Sequence, residues 1–373
     1  MGLFAKKEQS HLGVDIGAHG IKVVELKKTK GRPQLWTYGM TRDHMDIHAD
    51  AVDTKEPMVQ AQASGMQPKE EPESDEDKRI AQYGDQLKVL LEKAKVQATV
   101  ATASLPVSQV FHTLITLPLV DAKEIDHHVR AKVKKMLPLP IDHMQVVHQE
   151  VPHFDTTKKE TYKKILVTAA PRRLVSFYAR IFQRAGLQLD ELETEAFALQ
   201  RALVGNDPAT TMIIDIGAER ANFFIVDQTL PLTHRSIQVG GNNFDAQIAA
   251  TLGISPQEAR ALKYDFSKMG SKQIREEIFA STVDPIIKEI SYNVEMFTSQ
   301  TGNEGKRMQK IIFTGGASLF PPIVDHIRQA FPVNVFIGDP WARIVYQQGL
   351  KRILDEIGPR MAVAAGLSMR NIV

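Results

Sequence analysis

The 373-residue sequence contains no cysteine. That excludes a disulfide framework and any thiolate metal site, and it fits a reducing compartment. No apolar run approaches the ~18 residues of a membrane span, so no integral membrane segment is expected. Neither sign of charge is in excess. With 46 basic and 44 acidic side chains the formal net charge is +2, which gives no reason to expect nucleic acid as a partner. The opening Met1-Gly2-Leu3-Phe4-Ala5-Lys6-Lys7 is too short and too quickly polar for a secretory signal. Two nucleotide signatures are absent as well. Gly305-Lys306 runs into Arg307 without the upstream glycine of a P-loop, and Asp15 stands where G-x-G-x-x-G needs its second glycine. What remains is a chain expected to be cytoplasmic, 43% apolar and long enough for two domains.

One pattern is present twice, about two hundred residues apart. Leu12-Gly13-Val14-Asp15-Ile16-Gly17 leads into Ile21-Lys22-Val23-Val24-Glu25-Leu26, and Met212-Ile213-Ile214-Asp215-Ile216-Gly217 leads into Ala221-Asn222-Phe223-Phe224-Ile225-Val226. Each copy reads as an apolar strand, a tight Asp-x-Gly turn and a second apolar strand. The repetition predicts an α/β protein with a duplicated domain and a ligand clamped between its halves.

Between the copies the composition changes. Residues 41–80 hold no aromatic side chain, and Lys69–Asp77 carries six carboxylates in nine positions. The segment therefore reads as an acidic linker or surface loop. Its His44-Met45-Asp46-Ile47-His48 is a weak metal motif without a rigid element to hold it. A helix begins near Tyr83, and a β-α-β-β-α block over 106–183 reads as an inserted subdomain. A basic helix face in that block carries Lys123, Arg130, Lys132, Lys134 and Lys135. The first lobe is expected over 1–105 and 184–207, the second over 208–360, with a closing helix, 361–373, returning to the first. Ser255-Pro256-Gln257-Glu258 has the residues of a capped helix start.

A nucleoside triphosphate needs close backbone N–H groups, which glycine permits, and its Mg²⁺ needs hard oxygen ligands such as aspartate. Two facing Asp-x-Gly turns meet both needs. Asp15 and Asp215 are the candidate metal ligands. The backbone of Gly17, Ala18, His19 and Gly20 in the first turn, and of Gly217, Ala218 and Glu219 in the second, is the candidate phosphate cradle, with Lys22 adding charge. Gly240-Gly241-Asn242 and Gly315-Gly316-Ala317 offer close approach to an adenosine.

The ordered set of hairpin, hairpin, Gly-Gly-Asn and strand-Gly-Gly-helix resembles the actin-like (ribonuclease H-like) ATPase superfamily, which includes actin, sugar kinases, chaperones and the cell-division protein FtsA. Within it the chain is similar to the PilM family of type IV pilus assembly. The likeness lies in Leu12–Gly17 with Lys22 and Glu25-Leu26, in Lys135-Met136-Leu137-Pro138-Leu139-Pro140-Ile141, in Ala169-Ala170-Pro171, in Glu195-Ala196-Phe197-Ala198-Leu199, in Val239-Gly240-Gly241 and in Ala365-Gly366-Leu367-Ser368-Met369-Arg370.

The resemblance implies a two-lobe ATPase fold with the subdomain that PilM and FtsA share, and ATP with Mg²⁺ as ligands. It implies Glu258 and Lys263 at the ribose and base, and Glu195 either positioning the attacking water or capping its own helix. It also implies a PilN-like inner-membrane protein as partner, whose cytoplasmic N-terminal peptide would sit near residues 100–140. Other proteins of the pilus platform would be further partners, and the protein would sit at the inner-membrane face through them. Relatives usually place Ser or Thr in the first turn, where this chain has Ala18-His19-Gly20, so nucleotide affinity or turnover is expected to be weak unless His19 substitutes. The alternatives are a metabolic kinase of the same fold, a nucleotide-free scaffold, or an FtsA-like membrane-associated or filament-forming protein.

Overall fold

The computed structural model describes residues 10–45, 74–152, 161–269 and 279–372. The two copies of the repeat open two sheets of the same design. In the first, β1 (Ser10–Gly17), β2 (Gly20–Thr29) and β3 (Arg32–Met40) form an antiparallel meander, and β4 (Val100–Leu105) and β8 (Gln188–Thr194) add on parallel, in the order β3-β2-β1-β4-β8. In the second, β9 (Thr211–Ile216), β10 (Ala221–Asp227) and β11 (Leu230–Ile237) form the meander, with β12 (Lys310–Thr314) and β13 (Asn334–Ile337) parallel, in the order β11-β10-β9-β12-β13. Both sheets are covered on both faces. Leu12, Val14, Val23 and Ala103 pack one way, Val24 and Leu26 the other; Met212 and Ile214 pack one way, Ile213 and Phe224 the other. This explains why the strands read as continuous apolar runs rather than alternations.

Helix α1 (Asp75–Lys93) starts inside the segment expected to be an acidic linker. Ser74 Oγ accepts from Asp77 N at 3.1 Å, and Asp75, Glu76 and Asp77 sit in the first turn, where the helix dipole favours carboxylates. Part of the acidic run is therefore a helix start. Residues 46–73, and with them most of the His44–His48 motif, lie outside the described residues.

The inserted unit is a three-stranded antiparallel sheet, β5 (Phe111–Pro118), β7 (Tyr162–Pro171) and β6 (Met144–Val151), in the order β5-β7-β6. One face packs on α2 (Ile125–Val133) through Ile115, Leu117, Ile165 and Val167 against Val129 and Val133. Helix α3 (Arg172–Arg184), expected as the last element of this unit, packs instead into the first-lobe core, where Leu174, Tyr178, Ile181 and Phe182 meet Ile80, Tyr83 and Leu87 of α1. Its arginines meet the acids of α1: Arg173 pairs with Glu76 at 2.7 Å, Arg184 with Asp85 at 2.8 Å, and Arg180 with Asp77.

The chain also returns to the first lobe earlier than residue 361. Leu35 N donates to Val345 O, and Val345 N donates to Pro33 O. Trp341, Ile344 and Leu354 join the cluster under Val24 and Leu26. Helix α9 (Lys351–Ser368) then lies between the sheets. It approaches so closely that a Cβ at Gly13 would stand 2.1 Å from Ala364 O, and one at Gly366 1.9 Å from Ala198 O.

Candidate functional site

The two hairpin turns face one cleft of about 540 Å³ between the lobes. Asp15, Gly17, Ala18, His19 and Lys22 line it from the first turn, and Asp215, Gly217, Ala218 and Glu219 from the second. Helix α5 (Gly241–Leu252) brings Gly241 and Asn242, and α6 (Pro256–Met269) brings Lys263. The turn after β12 adds Gly315, Gly316 and Ala317, and Glu195 enters from the start of α4 (Glu195–Leu199). Of the residues expected here, Gly20, Gly240 and Glu258 do not line the cleft. Glu258 closes the capping box, with its Oε2 2.9 Å from Ser255 N and 2.7 Å from Ser255 Oγ. Gly240 backs the second turn, where a Cβ would stand 2.5 Å from Ala218 O.

Several backbone donors of the expected site are engaged within the protein. Gly217 N donates to Arg220 O, Gly241 N to Gly217 O, Asn242 N to Ala218 O and Gly315 N to Pro359 O, all at 2.8–2.9 Å. These bonds fix α5 and the Gly-Gly turn against the second hairpin. Among the described residues no hydrogen bond engages the N–H of Ala18, His19, Ala218 or Glu219, which leaves two donors on each turn for an anion.

Three carboxyls, those of Asp15, Asp215 and Glu195, line the cleft. Ser104 Oγ donates to Asp15 Oδ1 at 3.2 Å, and Lys22 Nζ lies 3.4 Å from Asp15 Oδ2. Burial, and then the charge of Asp15, push the Asp215 carboxyl up to about 7. Burial raises Glu195 well above the carboxylate range, with Asp215 and Asp15 adding to it. Glu195 Oε2 accepts from Val107 N and Asn222 Nδ2, both at 3.4 Å, so its contacts join α4, the start of the inserted unit and β10. Acids held this far from their ordinary ionisation mark a site arranged for a cation. Among the described residues no three His, Asp or Glu side chains converge on one point, so a metal here would take its remaining ligands from a bound phosphate and water. Glycine leaves room for two lysine amines beside the turns. A Cβ at Gly17 would stand 2.6 Å from Lys22 Nζ, and one at Gly241 3.2 Å from Lys263 Nζ. The residues present thus fit a magnesium-bound triphosphate.

Toward the other end, Lys263 Nζ donates to Gly241 O at 2.7 Å and pairs with Asp245 at 2.5 Å. Burial lowers its pKa against the pull of Asp245. Arg42, Arg260 and Arg360 also line the cleft, and sequence reasoning missed all three. None lies in a motif, and only tertiary packing brings them together.

A second cavity, of about 590 Å³, separates the inserted unit from the first lobe. It lies between two strands at sheet edges, β6 and β8, and is lined by Val147, Gln149, Leu166, Val175, Leu192 and Phe197 with Asp190, Glu191, Glu193 and Arg370. From 100–140, where a peptide partner was expected, only Leu105 and Val110 reach it. The reason is topological. β5 is covered by β7 and by β11 of the second lobe, whereas β6 keeps an open edge.

Comparison with known proteins agrees with this architecture. Residues 13–372 match the family described as type IV pilus assembly protein PilM. A solved PilM-PilN type IV pilus biogenesis complex contains a similar chain, with TM-score 0.75, 20% identity, and 97% of this chain and 98% of that chain covered. The ethanolamine utilization protein EutJ from Carboxydothermus hydrogenoformans is similar at TM-score 0.54 and 14% identity, with 98% and 91% covered. The cell division protein FtsA of Enterococcus faecalis is 25% identical over 199 residues, which span 46% of this chain and only 43% of that protein.

Proposed function

The chain belongs to the PilM family of type IV pilus assembly and has the actin-like ATPase fold, and from that premise we propose that it is an ATP-binding adaptor of the pilus assembly platform. The observation that carries this reading is the single cleft onto which both Asp-x-Gly turns open. The free N–H groups of Ala18, His19, Ala218 and Glu219 hold the phosphates from both lobes, and Lys22 balances their charge. Asp15 and Asp215 hold the Mg²⁺. Lys263 orients the ribose and base. Glu195 places the water, and its burial keeps hydrolysis slow. When bound, Mg-ATP supplies a phosphoanhydride whose cleavage would reset the protein. A ligand gripped by both turns favours the closed arrangement of the lobes and so biases any site whose shape differs between arrangements.

The edge-strand groove beside β6 and β8 is such a site. Its shape suits an extended segment that adds to an open strand edge; Glu191 and Glu193 are paired with Arg370 and Arg201, which leaves Asp190 to favour a basic side chain. The solved PilM-PilN complex supports a PilN-like inner-membrane protein as the partner; its cytoplasmic N-terminal segment is assigned to this groove on the open strand edges and would hold the adaptor at the membrane face. No helix among the described residues is long and apolar enough to cross a membrane.

Isothermal titration with ATP and Mg²⁺ tests the reading. The protein should take up about one nucleotide, and Asp215→Ala should lose the magnesium-dependent part of the affinity while keeping its circular dichroism. Folded protein that takes up no ATP would leave only a scaffold.

A further inference from the structure

Five residues after β3 form a strap across the mouth of the cleft, where the start of the His44–His48 motif meets the Ala18-His19-Gly20 turn. The strap is seated on the first turn. Thr41 N donates to Ile21 O at 2.9 Å, Met45 N donates to Ala18 O at 2.8 Å, and Thr41 Oγ1 accepts from Ile21 N at 2.9 Å. Its far end is anchored by Met45, fully buried in the first-lobe core. The fit requires glycine at position 20, where φ is +103° and a Cβ would stand 2.4 Å from Thr41 O.

From this seat the strap reaches the other lobe. His44 Nε2 lies 3.2 Å from Glu219 Oε1 in the second turn, and the His44 ring meets the His19 ring edge-on at 5.8 Å between centroids. Thr41 and Arg42 line the cleft. Arg360 lines the same cleft, and its Nε would be 3.3 Å from a Cβ at Gly316. Among the described residues neither guanidinium has an ion-pair partner, whereas Arg260 and Lys263 share Asp245. Burial, and then the charge of Arg42, lower the pKa of Arg360 against a smaller opposing pull from Tyr264 and Glu356. The two guanidiniums repel one another across the cavity, an effect that Glu356 offsets only in part at Arg360, and an anion that bridges them relieves it.

We propose that Thr41–Met45 is part of the ligand site: Arg42 and Arg360 together bind an anionic group of the nucleotide, and the His44–Glu219 contact latches the strap across the two lobes. The proposal rests on the nucleotide reading and adds to it the residues that govern entry and exit. It also explains how a first turn without a hydroxyl retains its ligand. Coverage by the strap, with a guanidinium on the ligand, replaces the side-chain donor that the turn lacks.

The test is stopped-flow fluorescence of the full-length protein with a methylanthraniloyl-labelled ATP and Mg²⁺. Arg42→Ala should weaken affinity about tenfold, the scale of one lost charge-assisted hydrogen bond, chiefly through faster release. Arg42→Lys should recover only part of this, because a point charge does not replace a planar fork. His44→Ala should raise both the association and the release rate several-fold. A wild-type protein that binds, together with an Arg42→Ala variant of unchanged affinity or a His44→Ala variant of unchanged rates, overturns the strap alone. A wild-type protein that binds no nucleotide overturns both this proposal and the nucleotide reading.

Discussion

At the scale of single residues, the site depends on backbone placements that only glycine permits. Gly315 has φ of +83°, and a Cβ there would stand 2.3 Å from Asp215 Oδ1 and 2.5 Å from Ile216 O. Gly315→Ala should therefore destabilise the fold by roughly 1–3 kcal/mol and displace the Asp215 carboxyl. The expected result is a lower urea midpoint together with loss of magnesium-dependent nucleotide uptake; a variant with unaltered nucleotide affinity would separate Gly315 from the site. Residues of this kind were legible in the sequence because a hairpin turn is a local feature, with its aspartate and glycines within a few positions of one another. Glu258 shows the limit of such reading. The same four residues, Ser255–Glu258, supported both a helix cap and a ligand contact, and the cap is what forms, because its partner is three residues away and needs no tertiary arrangement. Arg42, Arg260 and Arg360 left no local signal, since their association depends on three separate segments meeting across the cleft.

At the scale of elements, the acidic run before Tyr83 was half legible. Its composition suits a solvated linker, but composition does not say where a capping serine ends the loop. In the fold, Ser74 caps α1, Glu76 and Asp77 of its first turn face Arg173 and Arg180 of α3, and Asp85 in mid-helix faces Arg184. These pairs accompany the packing of α3 into the first lobe rather than the inserted unit. Hydrogen bonds from Ser74 and Arg180, in that order, hold the Asp77 carboxyl below the usual carboxylate range. The pairs are exposed, so the apolar packing of Leu174, Tyr178 and Phe182 on Tyr83 and Leu87 supplies most of the stability, and the charges set the register. Ser74→Ala should lower stability by about 1 kcal/mol, the ordinary worth of an N-cap, and raise hydrogen exchange in the first turn of α1. A Ser74→Asp variant should restore both. An unprotected first turn in the wild-type protein would show that the cap does not form in solution.

At the scale of the whole molecule, the duplication was legible because each copy is a local pattern, whereas the joints between the lobes and the inserted unit were not. One joint is a pair of half-buried histidines. His112 on β5 stacks on His234 on β11 with ring centroids 4.8 Å apart, and His112 Nδ1 lies 3.2 Å from Thr168 Oγ1. The groups facing the pair are neutral: the Thr168 hydroxyl and the backbone of Val110, Pro231 and Leu232. Burial lowers His112 to about 4 and, with the neighbouring ring, His234 to about 3, against which the nearby carbonyls have a smaller effect. Both rings are therefore neutral in the fold and take up protons when the chain unfolds, where their pKa is about 6.5. The stabilisation they give is complete above that value and is lost as pH falls toward 4 and 3, by about 2 kcal/mol per ring at pH 5. Asp215, raised to about 7, acts in the opposite sense, because the folded state holds its proton more tightly and gains stability on acidification. The net slope of stability with pH thus mixes the two, and a substitution at the joint isolates its share. His234→Phe keeps the stacked ring and removes one titration, so the fall in thermal midpoint between pH 7 and pH 5 should be smaller than in the wild-type protein. An identical fall in both proteins would mean that the joint opens to water and carries its histidines at their ordinary values, leaving the inserted unit free to move against the second lobe.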